Sequence, residues 1–243
     1  MALSDLQIIY NVALGYIGDY EVTESDTSSK QYSLCTRFYE QARDEVLVAH
    51  TWNEAIERSA VLQASVSPIH TYSYKYALPA DCLRVISIGN DTYDWQVEGD
   101  YILTDYIIEP DDWTTDEDYV AGQYVSRNSV TYLCNASHTS ATATDPVTDV
   151  VTWTTQNADY GYLNLTYIKQ LTTISSFSPR LYNAIAMNLA IKIATSIAGG
   201  DRKLRMQLLE EYEKLVLPQA RSVDSMQGRP KPIYNSEWIR SRQ

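Results

Sequence analysis

Apolar positions recur with a helical period at both ends of the chain and with a strand-like period between them. Leu3, Leu6, Ile9, Tyr10, Ala13 and Leu14 are spaced by three and four residues. Ser4 with Gln7 three residues on has the form of a capping box, and Gly15 and Gly18 supply a stop, so one short helix is predicted. A polar stretch from Asp19 to Ser29 leads to a second helical pattern carried by Leu34, Cys35, Phe38, Ala42, Leu47 and Trp52. Toward the other end, Ser178-Pro179 opens a third helix. In it Leu181, Ile185, Leu189, Ile193 and Ile197 recur every four residues beside Ala184, Ala186, Ala190 and Ala194. Each four-residue step advances about 40° around a helix, so this stripe is wide and the helix is expected to be a central packed element. Gly199-Gly200 breaks it, and Asp201 stands where an N-cap would. Leu204, Leu208, Leu209, Tyr212 and Leu215 then predict a second arm of a helix hairpin, up to Pro218.

The middle of the chain alternates instead. Tyr72, Tyr74 and Tyr76 do so, Pro79 reads as a turn or edge residue, and Leu83 to Ile88 is rich in β-formers. Gly89-Asn90-Asp91 reads as a turn, Tyr93, Trp95 and Val97 alternate, and Glu98-Gly99-Asp100 turns the chain into Tyr101 to Ile108. These short segments predict a small antiparallel sheet or meander. Beyond Pro218 periodicity is lost: Arg221, Arg229, Lys231, Arg240 and Arg242 stand against Asp224 and Glu237, with Tyr234 and Trp238 among them. Two readings stand for this segment, a loose or self-packed tail and an arm that docks on another subunit, for which exposed aromatics have a use.

At 243 residues the chain is long enough for a substantial core, and its apolar stretches are broken well before the roughly 18 residues a membrane helix needs. The net charge of −12 argues against a monomer that grips nucleic acid by phosphate neutralisation, but not against a ring that lets DNA slide past an unattractive wall. Between Val85 and Ser126 there are 11 acidic residues and no basic one. That stretch is either a solubilising face or an electronegative surface used in assembly or in repelling DNA. Three cysteines far apart, Cys35, Cys82 and Cys134, fit a reducing compartment and small buried hydrophobes. Met1-Ala2-Leu3-Ser4-Asp5 has no basic region before an apolar run, so no secretory leader is expected.

Catalytic signatures are lacking. There is no Gly-rich phosphate loop, His-Glu-x-x-His, Gly-x-Ser-x-Gly or Cys-x-x-Cys, and His50, His70 and His138 lie in different segments. Asp111-Asp112 and Asp116-Glu117-Asp118 lack the alternating spacing and bidentate Glu of a calcium loop. No enzyme activity, metal or cofactor is expected. The aromatic set, 20 Tyr and 5 Trp against 2 Phe, suits subunit interfaces, glycan platforms or a wet sheet surface, since both major types keep a polar handle.

Several segments together resemble one family. They are Gly15-Tyr16-Ile17-Gly18; Ala42-Arg43-Asp44-Glu45-Val46-Leu47 leading to His50-Thr51-Trp52-Asn53; Tyr76 through Val85, with Leu78-Pro79-Ala80-Asp81-Cys82-Leu83-Arg84 the most specific part; Val97-Glu98-Gly99-Asp100-Tyr101; the Leu189-Ala190 helix; Gly199-Gly200; and Ser236-Glu237-Trp238-Ile239-Arg240-Ser241-Arg242. In these the chain resembles the tail tubular protein A family, the head-to-tail adaptor of short-tailed bacteriophages. The resemblance implies a homo-oligomeric, dodecameric ring around the DNA channel, bound to the portal protein above and to the tail nozzle, or tail tubular protein B, below. DNA would pass through it without sequence-specific binding, and the chain would be a virion tail component at the head-to-tail interface, assembled in the host cytoplasm. Arg229, Lys231, Tyr234, Trp238, Arg240 and Arg242 become candidates for docking on the portal or a neighbouring subunit.

Residues 109–160 interrupt that pattern. Trp113, Tyr119, Gly122, Tyr132, Cys134, Pro146 and Trp153 resemble the small β carbohydrate-binding modules of chitinases, with Arg127-Asn128-Ser129 in place of the usual glycine-containing hairpin. A module for subunit contact and a glycan binder that uses Trp113, Tyr132 and Trp153 are both open, and a freestanding glycan-binding protein is the rival function. The expected fold class is α+β: a helical bundle adaptor core (1–108 and 161–217) with a small antiparallel β-domain, an inserted β-module (109–160) and a C-terminal docking arm (218–243).

Overall fold

A computed structural model of the chain describes residues 4–23, 27–89, 92–156, 161–197 and 201–225. The protein is mixed α/β, with several small antiparallel sheets. By its contacts it divides into two compact units, Met1–Ala55 with Leu171–Gln243, and Ile56–Gln170.

The first unit is helical. Helix α1 (Asp5–Ile17) starts at the expected capping box, Ser4 with Gln7, and ends at Gly18, whose φ of 77° is the left-handed cap conformation that glycine adopts without penalty. Helix α2 (Lys30–Ala49) is capped by Ser29, and α3 (Pro179–Ile197) begins with proline in its first turn, where no N–H is needed. Ten residues of α3 are buried, Leu181, Ile185, Leu189 and Ile193 among them, and the helix packs against both α1 and α2. Burying each Leu or Ile contributes about 1.5–3 kcal/mol, so this stripe is the principal apolar anchor of the unit. Trp52 is fully buried, and its Nε1 donates to the Val46 carbonyl at 2.8 Å.

Helix α4 (Arg202–Glu211) is capped by Asp201, which accepts from the Lys203 and Leu204 N–H groups. The expected stop at Pro218 is not observed. A π turn at Tyr212–Val216 is followed by α5 (Leu217–Ser225), so helical structure runs past the proline. The reason is local: the Leu217 N–H reaches back to the Tyr212 carbonyl, five residues away, so the turn is already widened just before Pro218, which sits in the first turn of α5 where its missing N–H is tolerated. Residues 226–243, with the candidate docking residues Arg229, Lys231, Tyr234, Trp238, Arg240 and Arg242, lie outside the described residues, as do Gly199-Gly200.

The second unit holds the strands: β1 (Ile56–Leu62), β2 (Tyr74–Ala77), β3 (Cys82–Ile88), β4 (Trp95–Glu98), β5 (Tyr101–Thr104), β6 (Asp111–Asp112), β7 (Asp118–Tyr119), β8 (Tyr124–Arg127), β9 (Val130–Cys134), β10 (His138–Thr139), β11 (Trp153–Thr155) and β12 (Tyr162–Lys169). One sheet has the order β1-β12-β3 and another β2-β5-β4, each antiparallel throughout. Their buried residues, including Tyr76, Ile102, Leu163, Leu165 and Tyr167, form one core. The predicted small antiparallel sheet is present but is not a meander, since β5 lies between β2 and β4 while β3 pairs with β12 in the other sheet; Glu98-Gly99-Asp100 is the β4–β5 turn, with Gly99 at φ 57°. Strand β1 carries no alternating apolar signal, because Arg58, Ser59 and Ala60 occupy its middle; seven consecutive pairings with β12 hold it.

Residues 109–156 add a four-stranded sheet, β11-β9-β8-β6, and the short β10-β7 pair; only β6–β8 is parallel. This segment enters and leaves through one bridge, in which the Ile108 and Tyr162 backbones exchange hydrogen bonds of 2.9 and 2.8 Å. Gly161 stands beside it, where a Cβ would lie 2.3 Å from Ile107 Cγ1 and 2.8 Å from the Ile108 carbonyl.

Candidate functional site

The aromatic residues expected to stack on a sugar sit inside the module. Trp113, Tyr132 and Trp153 are 4%, 6% and 1% exposed, and they share one cluster with Tyr119, Val125 and Cys134. Strand alternation explains this: Tyr132 and Cys134 on β9 and Val125 on β8 face the same side, and β11 pairs Trp153 opposite Cys134. Trp153 Nε1 donates to the Thr144 carbonyl at 2.9 Å, and its ring meets Tyr119 edge-on at 5.3 Å. One face of Trp113 is taken by the Arg127 guanidinium, 4.7 Å from the ring, which is itself anchored by Asp145 at 2.9 Å. A glycan platform needs open aromatic faces, so the assignment of Trp113, Tyr132 and Trp153 to glycan or external contact is corrected: they are the core of the module. The aromatic spacing was legible in the sequence, but spacing does not distinguish a stacking surface from a core in so small a β-module.

The hairpin that replaces the glycine turn is formed by Asn128 and Ser129, at φ 53° and 60° between β8 and β9. Both residues adopt the positive φ of a type I′ turn, which asparagine tolerates better than serine.

Polar chemistry in the module is structural. The Ala136 carbonyl can only accept, so His138 Nδ1, 2.8 Å away, carries the proton, and the Cys134 thiol donates to the same carbonyl at 3.2 Å. Burial pushes the Cys134 thiol up from its ordinary range, and pushes Cys35 up to about 12. Neither is a poised nucleophile. Among the described residues no group of three or more His, Cys, Asp or Glu is arranged to hold a metal ion. No helix of the described residues is long and apolar enough to cross a membrane.

The acidic stretch has both structural and open carboxylates. Asp105 accepts from the backbone N–H and hydroxyl of Ser73, both at 2.8 Å, and Asp118 accepts from the Thr139 hydroxyl at 2.6 Å. Glu109, Asp111 and Asp112 instead line a cleft of about 500 Å³ at the base of the module, with Gln63, Ile107 and Ser126. The three carboxylates are exposed, and such a surface repels a phosphate backbone.

Apolar side chains also face solvent. The loop between β1 and β2 carries Val66 and Ile69 at 70% and 100% exposure. It roofs a cavity of about 370 Å³ floored by Lys75, Tyr101 and Leu103, with the Lys75 ammonium 3.7 Å from the Tyr101 ring centroid. In the helical unit, Leu6 and Ile8 of α1 and Met206 of α4 are exposed.

A feature the sequence did not announce lies at the end of α2. Asp224 of α5 is buried and takes hydrogen bonds from His50 Nε2 and from the Asn53 N–H, both at 3.0 Å. No motif marks it, since its partners are more than 170 positions away in the chain.

No protein-family model matches this chain, and no curated protein matches it significantly. The resemblance to tail tubular protein A therefore rests on the quoted segments.

Proposed function

We propose that this chain is a structural subunit of the head-to-tail adaptor ring of a short-tailed bacteriophage, joining portal to tail tube and forming part of the DNA channel. In this reading α1–α5 form the bundle-like ring body. The small sheets face the tail, the 109–160 module makes contacts outside the ring, and the C-terminal arm 218–243, which begins with α5, docks on the portal or a neighbouring subunit. The ring serves genome retention and ejection and performs no catalysis.

The observation that carries the proposal is the run Leu78 to Arg84 followed by Glu98-Gly99, the most specific part of the resemblance, which falls on the β2–β3 connection with the start of β3 and on the β4–β5 turn. Leu78-Pro79 joins β2 to β3, the Leu78 N–H donates to the Asp100 carbonyl at 2.9 Å, and Glu98-Gly99 makes the β4–β5 turn. The two parts of the run thus meet through a backbone hydrogen bond in the folded chain. The acidic surface adds support, because a channel that must release DNA gains from walls that do not bind phosphate. The exposed apolar side chains of α1, α4 and the β1–β2 loop suit a subunit that is buried by its neighbours.

Mass tests the proposal. A subunit of 27.6 kDa gives a twelve-membered ring of about 331 kDa, and sedimentation of the protein with purified portal complexes should show a species that carries that added mass. Only 27.6 kDa monomers, with and without portal, would count against it.

A further inference from the structure

Helix α5 has little apolar anchorage. Of its residues only Ala220 and Asp224 are buried, and Val223 is 41% exposed. One buried methyl group and the half-buried Leu217 are a weak hold, whereas α3 buries ten residues. Beside its packing against α3 and a long 3.5 Å bond from Arg180 Nη1 to Gln219 Oε1, what fastens α5 is polar and converges on one short stretch, Ala49 to Asn53. Asp224 Oδ1 accepts from the Asn53 N–H at 3.0 Å and Oδ2 from His50 Nε2 at 3.0 Å, so Nε2 is the protonated nitrogen. The Asp224 carbonyl accepts from Asn53 Nδ2 at 2.7 Å. One turn earlier, Arg221 Nη2 donates to the carbonyl of Ala49, the last residue of α2, at 2.8 Å.

At the other end of α5 the ordinary α-helical register is interrupted. The π turn at Tyr212–Val216 replaces the ordinary hydrogen-bond register, and Pro218 has no N–H to give. A break in register next to a proline concentrates bending at one place.

We infer that α5 is a strap closed by a polar catch: it opens and closes as a unit about the Tyr212–Pro218 segment while α3 stays folded. The catch is Asp224 and Arg221 on the strap with His50, Asn53 and the Ala49 carbonyl beneath it. Opening frees a receptor for a carboxylate at the end of α2. Because residues 226–243 follow α5 in the chain, the catch also sets the point from which that basic segment departs. The inference does not depend on the adaptor reading.

Native-state hydrogen exchange on the full chain tests it. In the unaltered protein the α5 amides should exchange at least 100-fold faster than those of α3, as expected for a unit that opens without global unfolding. The sharper readout is the Asn53 amide, which lies outside α5 and bonds to Asp224. Arg221→Ala removes a contact to Ala49 and touches no atom of Asn53, so it should speed Asn53 exchange about tenfold only if α5 leaves as one piece. Val223→Ala, at an exposed position, should leave Asn53 unchanged. Equal exchange rates for α5 and α3 in the unaltered chain would overturn the inference, as would an Arg221→Ala variant in which Asn53 keeps its original rate or α3 accelerates by the same factor as α5.

Discussion

Among the described glycines, Gly161 has the least room for a side chain. Its φ is unremarkable, but a methyl group there would overlap the Ile107 side chain and approach the carbonyl of Ile108, the residue whose bridge to Tyr162 joins the 109–156 segment to its sheet. Backbone cannot yield as a side-chain tip can, so Gly161→Ala should destabilise the protein by about 1–3 kcal/mol, the usual range for overpacking. A urea midpoint equal to that of the parent would refute this. Ser129 presents the opposite case. At φ 60° in a two-residue hairpin it holds a conformation that costs an L-residue about 1–2 kcal/mol and costs glycine almost nothing. Ser129→Gly should raise stability by roughly 1 kcal/mol, since Asn-Gly is the favoured pair for this turn; a fall in melting temperature would show that the Ser129 side chain is needed there.

Helix α3 decides the stability of the helical unit. Leu189 is fully buried on the stripe that packs against α1 and α2. Leu189→Asp places an unpaired carboxylate in that core, at a cost of several kcal/mol together with a packing defect. The variant should be unfolded or insoluble, and a normal yield with an unchanged melting curve would remove the stripe from the core. Elements of this kind were legible in the sequence. The caps Ser4, Pro179 and Asp201 and the four-residue recurrence in α3 are local signals, and the alternation of Tyr74 and Tyr76 in β2 and of Trp95 and Val97 in β4 is another. Strand β1 was not legible, because Val61 is its one buried residue and its stability comes from a partner about a hundred positions away. Nor was the continuation into α5, where the π turn cancels the usual meaning of Pro218. The aromatic residues of the module were found at the sequence level, but their side of the sheet was not. A period of two tells which residues share a face and leaves open whether that face is wet.

Across the whole molecule the tyrosines give a pH-dependent signature. Burial pushes Tyr39 and Tyr212 up to about 12, with Arg43 and Arg221 respectively pulling the other way, and Tyr10, Tyr76 and Tyr167 are also raised, mainly by burial. A folded-state value above the unfolded one of about 10 means that the folded form holds the proton more tightly. The stability so contributed is fully present below about pH 9 and is lost as pH rises through 10 toward 12. Tyrosinate absorbance should therefore appear in two stages, exposed rings first and buried rings together with unfolding. A single transition near pH 10 for all 20 tyrosines, with the fold intact, would contradict this.

The proposed ring is the largest scale, and one image tests it: the protein mixed with a purified portal complex, viewed down the axis by electron cryomicroscopy. The account predicts a closed ring of identical subunits around an open channel, with the helical unit in the ring wall and the 109–160 module outside the DNA path. Isolated subunits of 27.6 kDa, or a closed particle without an axial opening, would contradict it.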